Sequence, residues 1–195
     1  MVACGGGASS GPGGREEPVV CSGFGPWDQS PFVLLYTVGD SYRVNQANCS
    51  GFGHSDFWQY GYDFEMAIGT VVTAARDGVV VHAQDGAPDG DRNRTNLITV
   101  EHDDGTVALY SHLTLNGVHV TAGQAVMVGD VIGQSGDTGN TGGLPHLHFS
   151  LHPCSALPGL PGSGNCPSIP ANFRNTDANP QGLAADRFYE SLPFN

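Results

Sequence analysis

The stretch GGLPHLHFSLH, residues 142–152, contains three of the eight histidines of this 195-residue chain. Read as a strand, its side chains alternate between two faces. His146, His148 and His152 then share one face with Ser150, and Leu147, Phe149 and Leu151 share the other. Imidazoles at i and i+2 stand roughly 7 Å apart on one side, so one can hold a metal while its neighbour reaches an adjacent water. Two further segments carry matching chemistry: GHSDFWQYGYDFEM supplies His54 and Asp63, and YSHL supplies His112. A catalytic zinc ion takes about three His or carboxylate ligands and keeps a position for water. The ion brings the pKa of that water to near 7, and a nearby imidazole can accept its proton. Histidine and aspartate gathered from separate strand ends therefore point to a zinc hydrolase.

The elements that must position these residues are strands. With 29 Gly and 13 Pro, the composition favours short strands joined by tight turns. GTVVTAARDGVVVHAQ reads as two short strands around the turn signal Asp77-Gly78, and NLITVEHDDGTVALYSHL reads as a hairpin turning at Asp104-Gly105. Along the second arm, alternation places Ala108, Tyr110 and His112 on one face and Val107, Leu109 and Ser111 on the other. VHVTAGQAVMVGDVIGQSGDTGNTGG alternates small strands with glycine turns. The expected fold is all-β, a compact β-sandwich or barrel. Residues 18–53 read as a lead-in strand (PFVLLYTV) with loops, 54–152 as the domain proper, and 153–195 as a loop-rich extension with at most a short helix near ANPQGLAADRFYESL.

Charge narrows the partners. The formal charge is −12, and all seven basic residues are arginine. No basic cluster is available to displace counterions from a nucleic acid or to dock on an anionic membrane, and the acidity reads as solubility. Cys4 follows Val2-Ala3 and precedes a Gly/Ser-rich run, which resembles the lipid-attachment triplet of bacterial lipoproteins. Residues 1–17 are accordingly read as leader and tether, with Cys4 as a candidate lipid anchor. The other four cysteines form two local pairs, Cys21 with Cys49 and Cys154 with Cys166, although the spacing leaves their connectivity open. Two disulfides and a lipidated cysteine place the chain outside the cytoplasm, in the cell envelope, with oligomeric state undetermined.

The segments GYDFEMAIGTVVTAARDGVVV, TVALYSHL and VTAGQAVMVGDVIGQSGDTGNTGGLPHLHFSL together resemble the lysostaphin-type zinc endopeptidases of bacterial cell walls. The shared pattern is an Asp before Gly-Thr-x-Val, a Tyr-x-His-Leu, a Gly-Asp-x-Ile-Gly turn, a Thr-Gly loop and a closing His-x-His-Phe. The resemblance covers residues 54–152 and implies a metallopeptidase domain of the duplicated-hybrid-motif type. Its disulfide-stapled extensions would flank a groove that accepts a peptide cross-link of peptidoglycan. Asp63 and His148 would be zinc ligands, and His112 with His146 would activate the water and steady the oxyanion. The bond cut would join small or D-configured residues. One position departs from the pattern: the family frame His-x-Gly-x-Asp reads Gln59-Tyr60-Gly61-Tyr62-Asp63 here. Two residues compete for the third ligand, Gln59 through its oxygen and His54 on a longer loop, and His54 is favoured.

The remaining candidates read more plainly. His82, His102 and His119 are expected to be satisfied or solvated strand residues, and His152 and Tyr110 to serve packing. Asn96 stands open between holding substrate and building the groove wall. The loop DGAPDGDRNRTN lacks the regular carboxylate spacing of a calcium loop. The substitution at Gln59 keeps a second function in view, a non-hydrolysing member that binds wall peptide or regulates an amidase. A biotinyl or lipoyl carrier, whose half-motifs AARDGVVV and VMVGDVIG resemble, is excluded because this chain has no lysine to modify.

Overall fold

The computed structural model describes residues 21–51, 53–154 and 166–194. The leader with Cys4 and the interior of the Cys154–Cys166 loop lie outside the described residues. Among the described residues ten strands run in chain order: β1 (Ser41–Gln46), β2 (Tyr62–Glu65), β3 (Val71–Thr73), β4 (Gly78–Gln84), β5 (Asn96–Glu101), β6 (Val107–Val118), β7 (Ala125–Val126), β8 (Val131–Ser135), β9 (His146–His152) and β10 (Arg187–Glu190). They form one hydrogen-bonded sheet in the order β10-β1-β2-β9-β6-β5-β4-β7, with β8 joined to both β3 and β6. All ladders are antiparallel. The all-β expectation holds: the helical elements among the described residues are 3-10 turns at Trp27–Gln29 and Asp56–Trp58. The strands flanking Asp77-Gly78 are present but do not pair with each other; β3 pairs with β8, and β4 with β5 and β7.

Three adjacent strands, β2, β9 and β6, decide what faces what. Directly paired residues on neighbouring strands project from the same face. Asp63, His148 and Ser111 form one such row across the sheet. The next row, Tyr62, Phe149 and Tyr110, projects to the opposite face, where all three rings are fully buried. Phe173 packs against Tyr62, Phe64 and Phe149 beneath them, at ring separations of 5.6, 6.4 and 5.8 Å. Each buried aromatic contributes about 1.5–3 kcal/mol. The Tyr110 hydroxyl accepts the Ala75 N–H, so Tyr110 is a core residue as its strand position indicates.

The terminal extensions belong to this same core. Residues 32–36 are buried but run as irregular backbone; the lead-in strand begins later, at Ser41. Their backbone finds other partners: Val33 N–H donates to Ala75 O, and Leu34 N–H to Asn175 Oδ1. Tyr36 Oη donates to Tyr189 O. The helix expected near the C-terminus is replaced by β10, which pairs with β1. Asn-Pro and Gly182 interrupt any helical run before it. The disulfides Cys21–Cys49 and Cys154–Cys166 both form.

His152 illustrates a histidine used for packing. It is fully buried, donates from Nδ1 to Cys166 O at 2.8 Å, accepts the Ser150 hydroxyl at Nε2 (2.9 Å) and stacks on Phe57. Burial pushes its pKa down to about 4. In the unfolded chain it titrates near 6.5, so as pH falls the unfolded state takes up this proton first. Its stabilising contribution is complete above about pH 6.5 and is lost towards pH 4, at up to about 1.4 kcal/mol per pH unit. Urea unfolding of the wild type and His152→Gln at pH 7.5 and 4.5 should show the stability gap between them shrink by about 2 kcal/mol at the lower pH. A gap independent of pH would mean that the fold does not hold His152 neutral.

Candidate metal centre

Asp63 and His148 meet because the β2–β9 register sets them opposite each other, and a loop brings a third group to them. His148 Nδ1 lies 2.8 Å from Asp63 Oδ1; His54 Nε2 lies 3.2 Å from the same oxygen and 3.3 Å from His148 Nδ1. All three residues are buried. Ligand atoms on one face of a tetrahedron with bonds of 2.0–2.1 Å stand about 3.3 Å apart, close to these edges. The proton inventory points the same way. His54 Nδ1 donates to Ala47 O at 3.0 Å, so a neutral His54 turns a lone pair at Nε2 towards the other two atoms. Three potential ligand atoms therefore converge on one point. A divalent cation satisfies such a cluster, and these three residues could hold one.

The electrostatics follow from burial. Burial opposes the charge on Asp63, but the imidazoles of His148 and His54 outweigh it and hold the carboxyl well below the usual carboxylate range. Burial likewise lowers the pKa of His148 and pushes that of His112 down to about 3, helped at His112 by the neighbouring His146 and His148. Neutral imidazoles are the form that can accept a proton or bind a metal.

Two more imidazoles stand beside the triangle with their tautomers set in the same way. His146 donates from Nδ1 to Leu144 O (2.7 Å), and its Nε2 is 3.6 Å from Asp63 Oδ1. His112 donates from Nδ1 to Thr138 O (2.6 Å), and its ring lies 4.7 Å from that of His146. Simple alternation along β6 would send His112 to the core face with Tyr110. A bulge prevents this. Leu97 pairs with Ser111 and Asn96 with Leu113, which leaves His112 as the extra residue, with φ +68°. The bulge turns its side chain to the face of Leu109 and Ser111, where it lines the groove.

Asn96 and Thr138 hold the bulge. Asn96 Nδ2 donates to Leu113 O, Thr114 O and Ala87 O, while its Oδ1 accepts Ala87 N–H. Thr138 Oγ1 accepts Asn96 N–H and donates to Leu113 O. Asn96 thus has its amide fully committed to backbone and builds the wall; it does not reach substrate.

The site opens into a groove of about 620 Å³, with Trp58, Leu97 and Leu109 as apolar lining and Thr95, Asn140 and Thr141 as polar lining. Arg92 ties one rim together by bonding to Asp137 and Thr141. A larger depression of about 880 Å³ opens beside Val79, Met127 and Arg174, but none of the four clustered histidines borders it. Gln59 lies outside the triangle, with its side-chain amide donating to Cys49 Sγ at 3.2 Å. The Ala47 carbonyl and Trp58 carry no advance signal in the sequence, because a backbone acceptor has no residue type and Trp58 sits on a short 3-10 turn outside the strand pattern; Thr138 belongs to the Thr-Gly loop of the resemblance, which did not announce its bond to Asn96.

The model of peptidase family M23 matches residues 58–157. The peptidoglycan DD-endopeptidase ShyA of Vibrio cholerae is 40% identical over 91 residues, which cover 47% of this chain and 19% of that protein. Lysostaphin of Staphylococcus staphylolyticus is 42% identical over 90 residues, covering 46% of this chain and 18% of the relative. The chain thus spans about a fifth of the length of these relatives. The solved structure of pseudoalterin, a novel M23 metalloprotease from the deep sea, shares the fold with a TM-score of 0.51. It is 20% identical, and the alignment covers 76% of this chain and 80% of that one.

Gly61 offers a test of how the triangle is held. A Cβ added there would lie 2.7 Å from His148 Cε1 and 3.0 Å from His54 Nε2, so the backbone just before β2 leaves no room for a side chain beside the two imidazoles. Gly61→Ala should weaken divalent-metal binding by about 10–100-fold, as displaced ligand supports commonly do. Gln59→Ala should bind as the wild type does. Chelator competition titrations measure both, and a Gly61→Ala protein with unchanged affinity would show that this backbone contact does not set the ligands.

Proposed function

Because this chain belongs to peptidase family M23, we propose that it is a zinc metalloendopeptidase that hydrolyses peptide cross-links of bacterial peptidoglycan. The observation that carries the reading is the convergence of His54, Asp63 and His148, three buried ligand atoms, beside two further imidazoles in an open groove. The names of the relatives, a peptidoglycan DD-endopeptidase and lysostaphin, support the substrate class.

His54, Asp63 and His148 would hold the ion. When bound, zinc supplies Lewis acidity to a water and to the scissile carbonyl. His112 and His146 supply the proton chemistry. With Nδ1 of each tied to a carbonyl, Nε2 is the free acceptor. Burial keeps His112 neutral at physiological pH, ready to take a proton from the attacking water and pass it to the departing amine. In its protonated form the same imidazole hydrogen-bonds the oxyanion. Trp58, Leu97 and Leu109 exclude water along one side of the peptide, and Ser111 and Asn140 offer hydrogen bonds to its backbone. Two disulfides favour an extracytoplasmic place of action, in the envelope where the substrate lies. Cys4 remains the candidate point of lipid attachment there.

The purified protein should carry about one zinc per chain and release free amino groups from peptidoglycan sacculi. His54→Ala and Asp63→Ala should lose both properties. His112→Ala should keep the metal and lose hydrolysis by roughly 10²-fold or more. A wild type that takes up no zinc at neutral pH, or that takes it up and releases nothing, would leave a wall-binding domain in place of an enzyme.

A further inference from the structure

The ligand that departs from the family frame sits on a loop with an unusual support. His54 lies within residues 47–59, where Cys49, Gly51, Gly53 and Asp56 all have positive φ, from +50° to +86°. Two of these four are not glycine, so the loop holds backbone conformations that an L-residue adopts at a cost and that the surroundings must impose. The loop is supported along its second half, where Phe57 O accepts the Ser168 N–H at 2.8 Å and the Phe57 ring stacks on His152, and at its base. Cys49 N–H donates to Gln59 O at 2.7 Å and closes the loop on itself. The disulfide ties Cys49 to Cys21, 28 residues earlier in the chain. Two residues before Cys49, the Ala47 carbonyl takes the Nδ1 proton that fixes the His54 tautomer. Asp63 and His148 need no such help, because strand register places them.

We propose that the Cys21–Cys49 disulfide is a positioning element of the metal site, holding the base of the 47–59 loop so that His54 is in place before the ion arrives. This rests on the assignment of His54, Asp63 and His148 as zinc ligands. A ligand held in advance does not have to be ordered at binding, so the affinity it confers is greater. The bridge Cys154–Cys166 closes a different segment, which meets the loop only non-covalently, through the Ser168 N–H to Phe57 O and His152 against Phe57, and it provides the comparison.

Zinc affinity measured by chelator competition should fall at least about tenfold in Cys21→Ser/Cys49→Ser. It should fall clearly less in Cys154→Ser/Cys166→Ser, whose segment meets the loop only through hydrogen bonds and ring contact, with folding of both followed by circular dichroism. Equal affinities in the wild type and the folded Cys21→Ser/Cys49→Ser protein would overturn the proposal. If that variant does not fold, the wild type still answers. Reduction by a phosphine, followed bridge by bridge by mass spectrometry, should be slowed at Cys21–Cys49 when zinc is bound and unchanged at Cys154–Cys166. Identical rates at Cys21–Cys49 with and without zinc would overturn the proposal as well. A wild type that binds no zinc at all would overturn the ligand assignment itself, and the two failures are thereby distinguished.

Discussion

The constraint on which the site depends is the register of β2 against β9 and of β9 against β6. It places Asp63, His148 and Ser111 in one row on the groove face and Tyr62, Phe149 and Tyr110 in the next row on the core face. A slip of one residue would exchange the two rows, putting a carboxylate into hydrocarbon and three aromatic rings into water. Burying an unpaired charge is among the most costly errors a fold can make. The aromatic row and Phe173 beneath it therefore do more than stabilise: they leave one alignment of strands that the chain can tolerate, and that alignment assembles half of the site.

The other half comes from breaks in regular structure. His112 reaches the groove because a bulge adds one residue to β6, and Asn96 with Thr138 occupies the backbone groups that the bulge leaves unpaired. His54 comes from a loop whose turns are left-handed at four positions. Both histidines donate from Nδ1 to a main-chain carbonyl, as His146 does. His54, His112 and His146 thus share one device: the imidazole is held at Nδ1 by a main-chain carbonyl, and Nε2 is left to the groove, whereas His148 turns its Nδ1 to Asp63.

The sequence was most legible where side-chain position follows from period two. The assignment of His146 and His148 to one strand face, the core role of Tyr110 and the all-β class all followed from alternation and turn residues. Legibility ended where periodicity did. Alternation put His112 on the face of Tyr110, because a bulge stabilised by distant Asn96 and Thr138 leaves no local trace. The spacing of His54 from Asp63 could not show that His54 lies beside Asp63 and Gln59 away from it, since the loop path runs through left-handed residues that no pattern announces. The short helix expected near the C-terminus became β10 for a related reason: pairing with β1 outweighed local preference. Residues 32–36 looked like a strand because they are apolar, yet they are buried without a ladder, their N–H groups taken up by Ala75 and Asn175.

The loop origin of His54 bears on how such a centre can change over time. A ligand carried on a strand is locked to its neighbours, because moving it by one position shifts everything bonded to it. A ligand on a loop is exchangeable. On the proposed assignment of His54, a chain with histidines at both 54 and 59 would keep a full donor set when either one was replaced, which a ligand fixed by strand register does not allow.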